Sequence, residues 1–141
     1  MFYQPLLYAL LAQVALTFLV WVYLYYTRLG KIFSENIDAQ QLKNRVDTQV
    51  LMAEVAGPSD NFKNLFEAPV LFYVAITVSL VLFIQNPLLD SLAWSYVLLR
   101  AVHSLVHITY NRVLHRFLVY FSSTLILWAM WAYIGWYIVT R

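Results

Sequence analysis

The chain has 141 residues, 62% of them hydrophobic and 11% charged, with a mean hydropathy of +0.67. A soluble domain carries about 25% charged residues, so this composition excludes one and points to a membrane. The net charge of +2 is too small to argue for a nucleic-acid partner, and the absence of cysteine excludes disulfides, thiolate metal ligands and a protein-borne thiol nucleophile.

Spanning a bilayer takes about 20 mostly apolar residues. Four stretches qualify, which predicts an all-α integral membrane protein: one four-helix transmembrane domain over residues 1–141, with helices at about 5–26, 61–84, 89–110 and 116–140. The first run lacks a basic leader and a small-residue cleavage site, so it reads as a retained span and not a signal peptide. It ends in Trp21, Tyr23, Tyr25 and Tyr26, residues that favour the headgroup level. The long connection that follows carries Arg28, Lys31, Lys43, Arg45 and Lys63. Within it Leu42, Val46, Val50 and Ala53 fall at near-helical spacing, which predicts a short amphipathic helix on the membrane surface. Gly57-Pro58-Ser59 is expected to break that helix, and Ser59 or Asp60 to cap the second span. Asn86-Pro87 marks a tight turn before the third span, and only a short hairpin, about Asn111 to Arg116, separates the third from the fourth. The last span carries a second aromatic belt of Trp128, Trp131, Tyr133, Trp136 and Tyr137.

With four spans, Arg112 and Arg116 join the basic residues of the long connection on one side, and Arg141 stands on the other. The positive-inside rule then places the basic side in the cytoplasm and both termini outside it.

An ionisable residue inside a span is costly and is a functional candidate for that reason. Tyr96, Arg100, His103, His107 and Tyr110 are spaced by four, three, four and three residues, which predicts one polar face on the third helix. Arg116, Tyr120 and Ser123 continue the rhythm on the fourth; Lys63, Asn64 and Glu67 open the second, where Pro69 is expected to kink the helix and free a backbone carbonyl. Facing lipid would leave these groups unsatisfied, so they converge on an interior or subunit interface near the cytoplasmic boundary. The bland version of such a cluster is an ion pair between Glu67 and Arg100 with His103 and Asn64 as interhelical hydrogen bonds; the fuller version also holds a polar ligand. His103 and His107 are spaced to share a metal with Glu67 or His115, but Arg100 one turn away opposes a cation, and no metal is assigned.

The run Asn64-x-x-Glu67-x-Pro69, together with Arg100-x-x-His103 and the spacing from these to Arg116 and Tyr120, resembles the MAPEG family, the membrane-associated proteins in eicosanoid and glutathione metabolism, and within it the prostaglandin E synthase and microsomal glutathione transferase branch. The resemblance covers nearly the whole chain. It implies a homotrimer binding glutathione between neighbouring subunits near the cytoplasmic face, with Arg28, Lys63, Asn64, Glu67, Arg100, His103 and Tyr120 lining the site and His107 and Tyr110 as further candidates. Arg116 matches the arginine that stabilises the glutathione thiolate, which would attack a lipophilic electrophile or reduce a lipid peroxide. Glutathione's two carboxylates suit arginine, and cations near its thiol favour the thiolate. The chain departs from the family pattern at three places: Asp60 stands where glutathione-using members carry arginine, His107 replaces a tyrosine and Phe117 a serine. A member of the fold without thiol chemistry, binding a lipid or another anionic ligand, is the alternative these changes leave open.

Overall fold

Why the chain forms long helices follows from its runs of Leu, Val, Ala and Tyr without interior proline. The computed structural model describes residues 4–140; the charge expectation placed on Arg141 lies outside them. The order is α1 (Gln4–Ser34), a 3-10 turn at Ala39–Leu42, α2 (Arg45–Leu51), a second 3-10 turn at Ala53–Val55, α3 (Ala56–Asn64), α4 (Ala68–Val81), α5 (Pro87–Ile108) and α6 (Val113–Thr140). Among the described residues, three helical segments are long and apolar enough to cross a membrane: Gln4–Ser34, Ala53–Val81 and Val113–Thr140. The protein is therefore an integral membrane protein with an all-helical fold. α5 has 22 residues, and its buried Arg100, His103 and His107 lower the apolarity on which that count rests.

The apolar core occupies one end of the bundle. Leu6 and Ala9 of α1, Phe72 and Ile76 of α4, Leu89 and Ala93 of α5, and Met130 and Ile134 of α6 are all fully buried. Phe72 stacks on Tyr96 with ring centroids 4.6 Å apart. These positions fall early in α1 and α5, midway along α4 and late in α6, so α6 runs opposite to α1 and α5. The other end, late in α1 and α5, along α3 and early in α6, holds most of the charged residues and all three histidines, with Asp90 apart at the start of α5.

Two boundaries differ from expectation. Gly57-Pro58-Ser59 does not break a helix: it lies in the first turn of α3, where proline's missing N–H is not needed, so Ser59 and Asp60 are helical and cap nothing. The expected second span is instead interrupted at Leu65–Glu67, between α3 and α4. Pro69 is the cause, because it has no N–H to give the Leu65 carbonyl and its ring crowds that carbonyl. Beyond the end of α4, Asn86 Oδ1 accepts the Leu88 N–H at 2.8 Å and Pro87 opens α5, so the residues expected to mark a turn also cap the next helix.

Candidate functional site

The interruption before Pro69 makes a binding partner out of the backbone. The carbonyl of Asn64, at the end of α3, accepts Nη2 of Arg100 at 2.8 Å. Arg100 is wholly buried, and its guanidinium carbon lies 5.4 Å from the centre of the Tyr120 ring, a cation–π contact. Its Nε and Nη1 have no partner among the described residues, an arrangement that costs free energy unless a further acceptor is present. No ion pair joins Arg100 to Glu67; the backbone carbonyl takes the place the sequence gave to that carboxylate.

His103, one turn further along α5, is also buried. Its Nδ1 lies 3.2 Å from the Arg116 carbonyl oxygen. A carbonyl only accepts, so Nδ1 carries the proton and Nε2 is left as an unpartnered acceptor. The contact ties α5 to the first turn of α6 and brings the His103 ring within 5.7 Å of Tyr120, centre to centre. Arg116 itself is oriented by Asn111, whose Oδ1 accepts Nη1 at 2.7 Å.

Asn64, Glu67, His103, Arg116 and Tyr120 line one pocket of about 270 Å³, with Val113 and Phe117 as its apolar rim. Arg100 sits behind Asn64 and Tyr120. α3, α5, α6 and the break before α4 thus bring together five of the sequence-nominated residues, with the buried guanidinium in contact with two of them.

Arg28 and Lys63 stand apart. They line a second cavity of about 260 Å³, with Arg45, Gln49, Ser59 and Asp60. Lys63 Nζ pairs with Asp60 at 2.9 Å, so that carboxylate is engaged by its own helix neighbour. His107 is buried beside His103, ring centres 5.7 Å apart, and neither of its ring nitrogens has a hydrogen-bond partner among the described residues. Tyr110 leaves the predicted face. α5 ends at Ile108, Asn111 adopts a positive φ of 49°, and the Asn111 N–H closes on the Val106 carbonyl at 2.9 Å. That turn swings Tyr110 to the surface, 57% exposed, where its hydroxyl bonds His115 at 3.1 Å.

Some participants escaped the sequence reading. Ser104 lies off the polar face, yet it is buried and donates to Asn61 Oδ1 at 3.2 Å, pinning α5 to α3. Asn61 and Asn64, two amides three residues apart at the start of an apolar run, were the available signal. Gln13, a lone amide in α1, is fully buried with both side-chain polar atoms unpartnered among the described residues.

Comparison with curated proteins and with solved structures returned no match. The family comparison did: the model described as MAPEG family matches residues 6–136, which takes in all six helices apart from the ends of the first and last. On that match, with its all-helical membrane fold, the chain belongs to the MAPEG family.

Proposed function

We propose that this protein is a glutathione-dependent transferase or peroxidase acting on lipophilic electrophiles or lipid peroxides, and that its thiol site is the pocket of Asn64, Glu67, His103, Arg116 and Tyr120. The observation that carries this is the donor set. A half-buried arginine lines the pocket, and behind it a fully buried arginine keeps two unpartnered nitrogens, while Glu67 offers an exposed carboxylate on the same wall. Carboxylates and an ammonium on one ligand would satisfy all three, and glutathione has both. Asp60, engaged by Lys63 in the adjoining cavity, leaves this pocket without the repulsion its sequence position suggested.

Bound glutathione would supply the thiol that the chain itself lacks. Arg116, held by Asn111, would place a positive charge beside that sulfur, and a neighbouring cation lowers a thiol pKa from its usual value of about 8.5. His103 Nε2 would accept a hydrogen bond from an N–H of the ligand, since its tautomer is fixed by the Arg116 carbonyl. Phe117 and Val113 would meet an apolar co-substrate arriving from the bilayer.

Four spans place this pocket at the basic, cytoplasmic end, with α5 as the third span; at about 1.5 Å per residue its 22 residues reach roughly 33 Å. The volume of 270 Å³ lies below the roughly 300–1,000 Å³ of sites that enclose a small ligand. A neighbouring copy would supply the missing wall, which is the reason to expect a homotrimer with its sites between subunits.

Isothermal calorimetry of glutathione against the detergent-purified protein is the test. Saturable binding that is lost in Arg116→Ala and Arg100→Ala supports the assignment. Absence of saturable heat at millimolar glutathione in the native protein overturns it in favour of a MAPEG fold without thiol chemistry.

A further inference from the structure

The turn between α5 and α6 makes two demands on one residue. Asn111 adopts a φ of 49°, and its N–H closes on the Val106 carbonyl at 2.9 Å. Glycine, asparagine and aspartate enter that left-handed region readily, and other residues only with strain. The side-chain oxygen of Asn111 also accepts Nη1 of Arg116 at 2.7 Å, which glycine could not do. Asparagine and aspartate meet both demands, and they differ in charge.

We propose, on the thiol assignment of the pocket, that Asn111 is a positioning residue for Arg116, and that its neutrality matters as much as its reach. Among the described residues no ion pair involves Arg116. Glu67, His103 and Tyr120 share its pocket, with His107 beside His103 and Arg100 behind Tyr120, yet the hydrogen bond that holds the Arg116 guanidinium goes to an amide. An amide oxygen fixes the direction of a guanidinium without offsetting its charge, so the whole charge is left for an anionic sulfur. A carboxylate in the same place would hold the side chain equally well and cancel much of the field the sulfur needs. The backbone of Arg116 is held independently. Its carbonyl lies 3.2 Å from His103 Nδ1 and its N–H meets the Arg112 carbonyl at 3.0 Å. Removing the Asn111 acceptor therefore frees the guanidinium and leaves the start of α6 in place.

Two substitutions separate reach from charge. Asn111→Gly keeps the left-handed turn and deletes the acceptor. Asn111→Asp keeps the turn and the acceptor and adds a negative charge. The full-length protein, native and as each variant, would be given saturating glutathione and its thiolate absorbance followed against pH, with calorimetry for affinity and a melting curve for the fold. In the native protein the bound thiol should ionise below the ~8.5 of a free thiol. Both variants are expected to keep saturable binding and to raise that midpoint by about one unit, the scale of doubling a ~4 Å charge separation at an effective dielectric of about 20. An unchanged midpoint in Asn111→Gly, with or without a lower melting temperature, would make Asn111 a turn residue only and overturn the positioning role. An unchanged midpoint in Asn111→Asp would overturn the need for a neutral acceptor. A native protein that binds no glutathione would instead overturn the thiol assignment, and the role of Asn111 with it.

Discussion

Replacing Arg100 by glutamine separates a structural arginine from a ligand-binding one. The substitution removes a hydrogen bond from a charged donor to the Asn64 carbonyl, worth about 1.5–3 kcal/mol. It also removes a cation–π contact with Tyr120, worth about 0.5–2 kcal/mol. Against these losses stands the desolvation of a fully buried guanidinium, several kcal/mol that glutamine does not incur. Because these terms are of similar size and opposite sign, thermal stability without ligand should move by a few degrees at most. The ligand balance has no such offset. Nε and Nη1 lack partners in the free protein, and a carboxylate placed on them would form charge-assisted bonds that glutamine cannot reproduce. Losing one such bond costs about 1.5–3 kcal/mol, roughly a 10- to 100-fold rise in glutathione Kd. Calorimetry for affinity and a melting curve for stability, on the same preparation, give both numbers. A large drop in melting temperature with unchanged affinity would refute the reasoning and leave Arg100 a purely structural tie between α3 and α5.

Pro69→Ala supplies the missing N–H and lets α3 run toward α4, so the Ala68 N–H competes for the Asn64 carbonyl; glutathione affinity should fall several-fold while helicity by circular dichroism rises. Ser104→Ala removes the buried bond to Asn61 and should cost about 1 kcal/mol, measured by denaturation in detergent, with affinity little changed. A Cβ at Gly57 would lie 3.3 Å from the His107 carbonyl oxygen, so Gly57→Val should destabilise by about 1–3 kcal/mol in the same assay, more than Gly57→Ala. A reporter fused after Arg141 should be active outside the cytoplasm, and cytoplasmic activity would contradict the charge-based orientation.

How much of this was legible in the sequence depended on whether a residue's effect is local. Pro69 acts on its own helix, so the break and the freed carbonyl could be expected from the residue alone. That Arg100 Nη2 would bond the neighbouring Asn64 carbonyl and not the Glu67 carboxylate could not, because it is a matter of how α5 packs on α3. Gly57-Pro58 was misjudged because proline breaks a helix interior but suits a first turn, and the sequence does not say where the turn begins. Tyr110 continued the spacing of Arg100 and His103, yet periodicity holds only while the helix lasts, and Asn111 in a left-handed conformation ends it. Arg28, Lys63 and Asn64 are neighbours by family pattern, whereas the tertiary arrangement places them on two cavities. Ser104 and Asn61 were missed for the same reason: each is unremarkable alone, and the bond exists only across two helices.

The thiol assignment rests on Arg116, and the ultraviolet absorbance of the glutathione thiolate measures its role. Titrating glutathione into the purified protein near neutral pH should give a saturable thiolate signal in the native protein that disappears in Arg116→Gln. A native protein with no saturable signal, or an Arg116→Gln signal as strong as native, would contradict it.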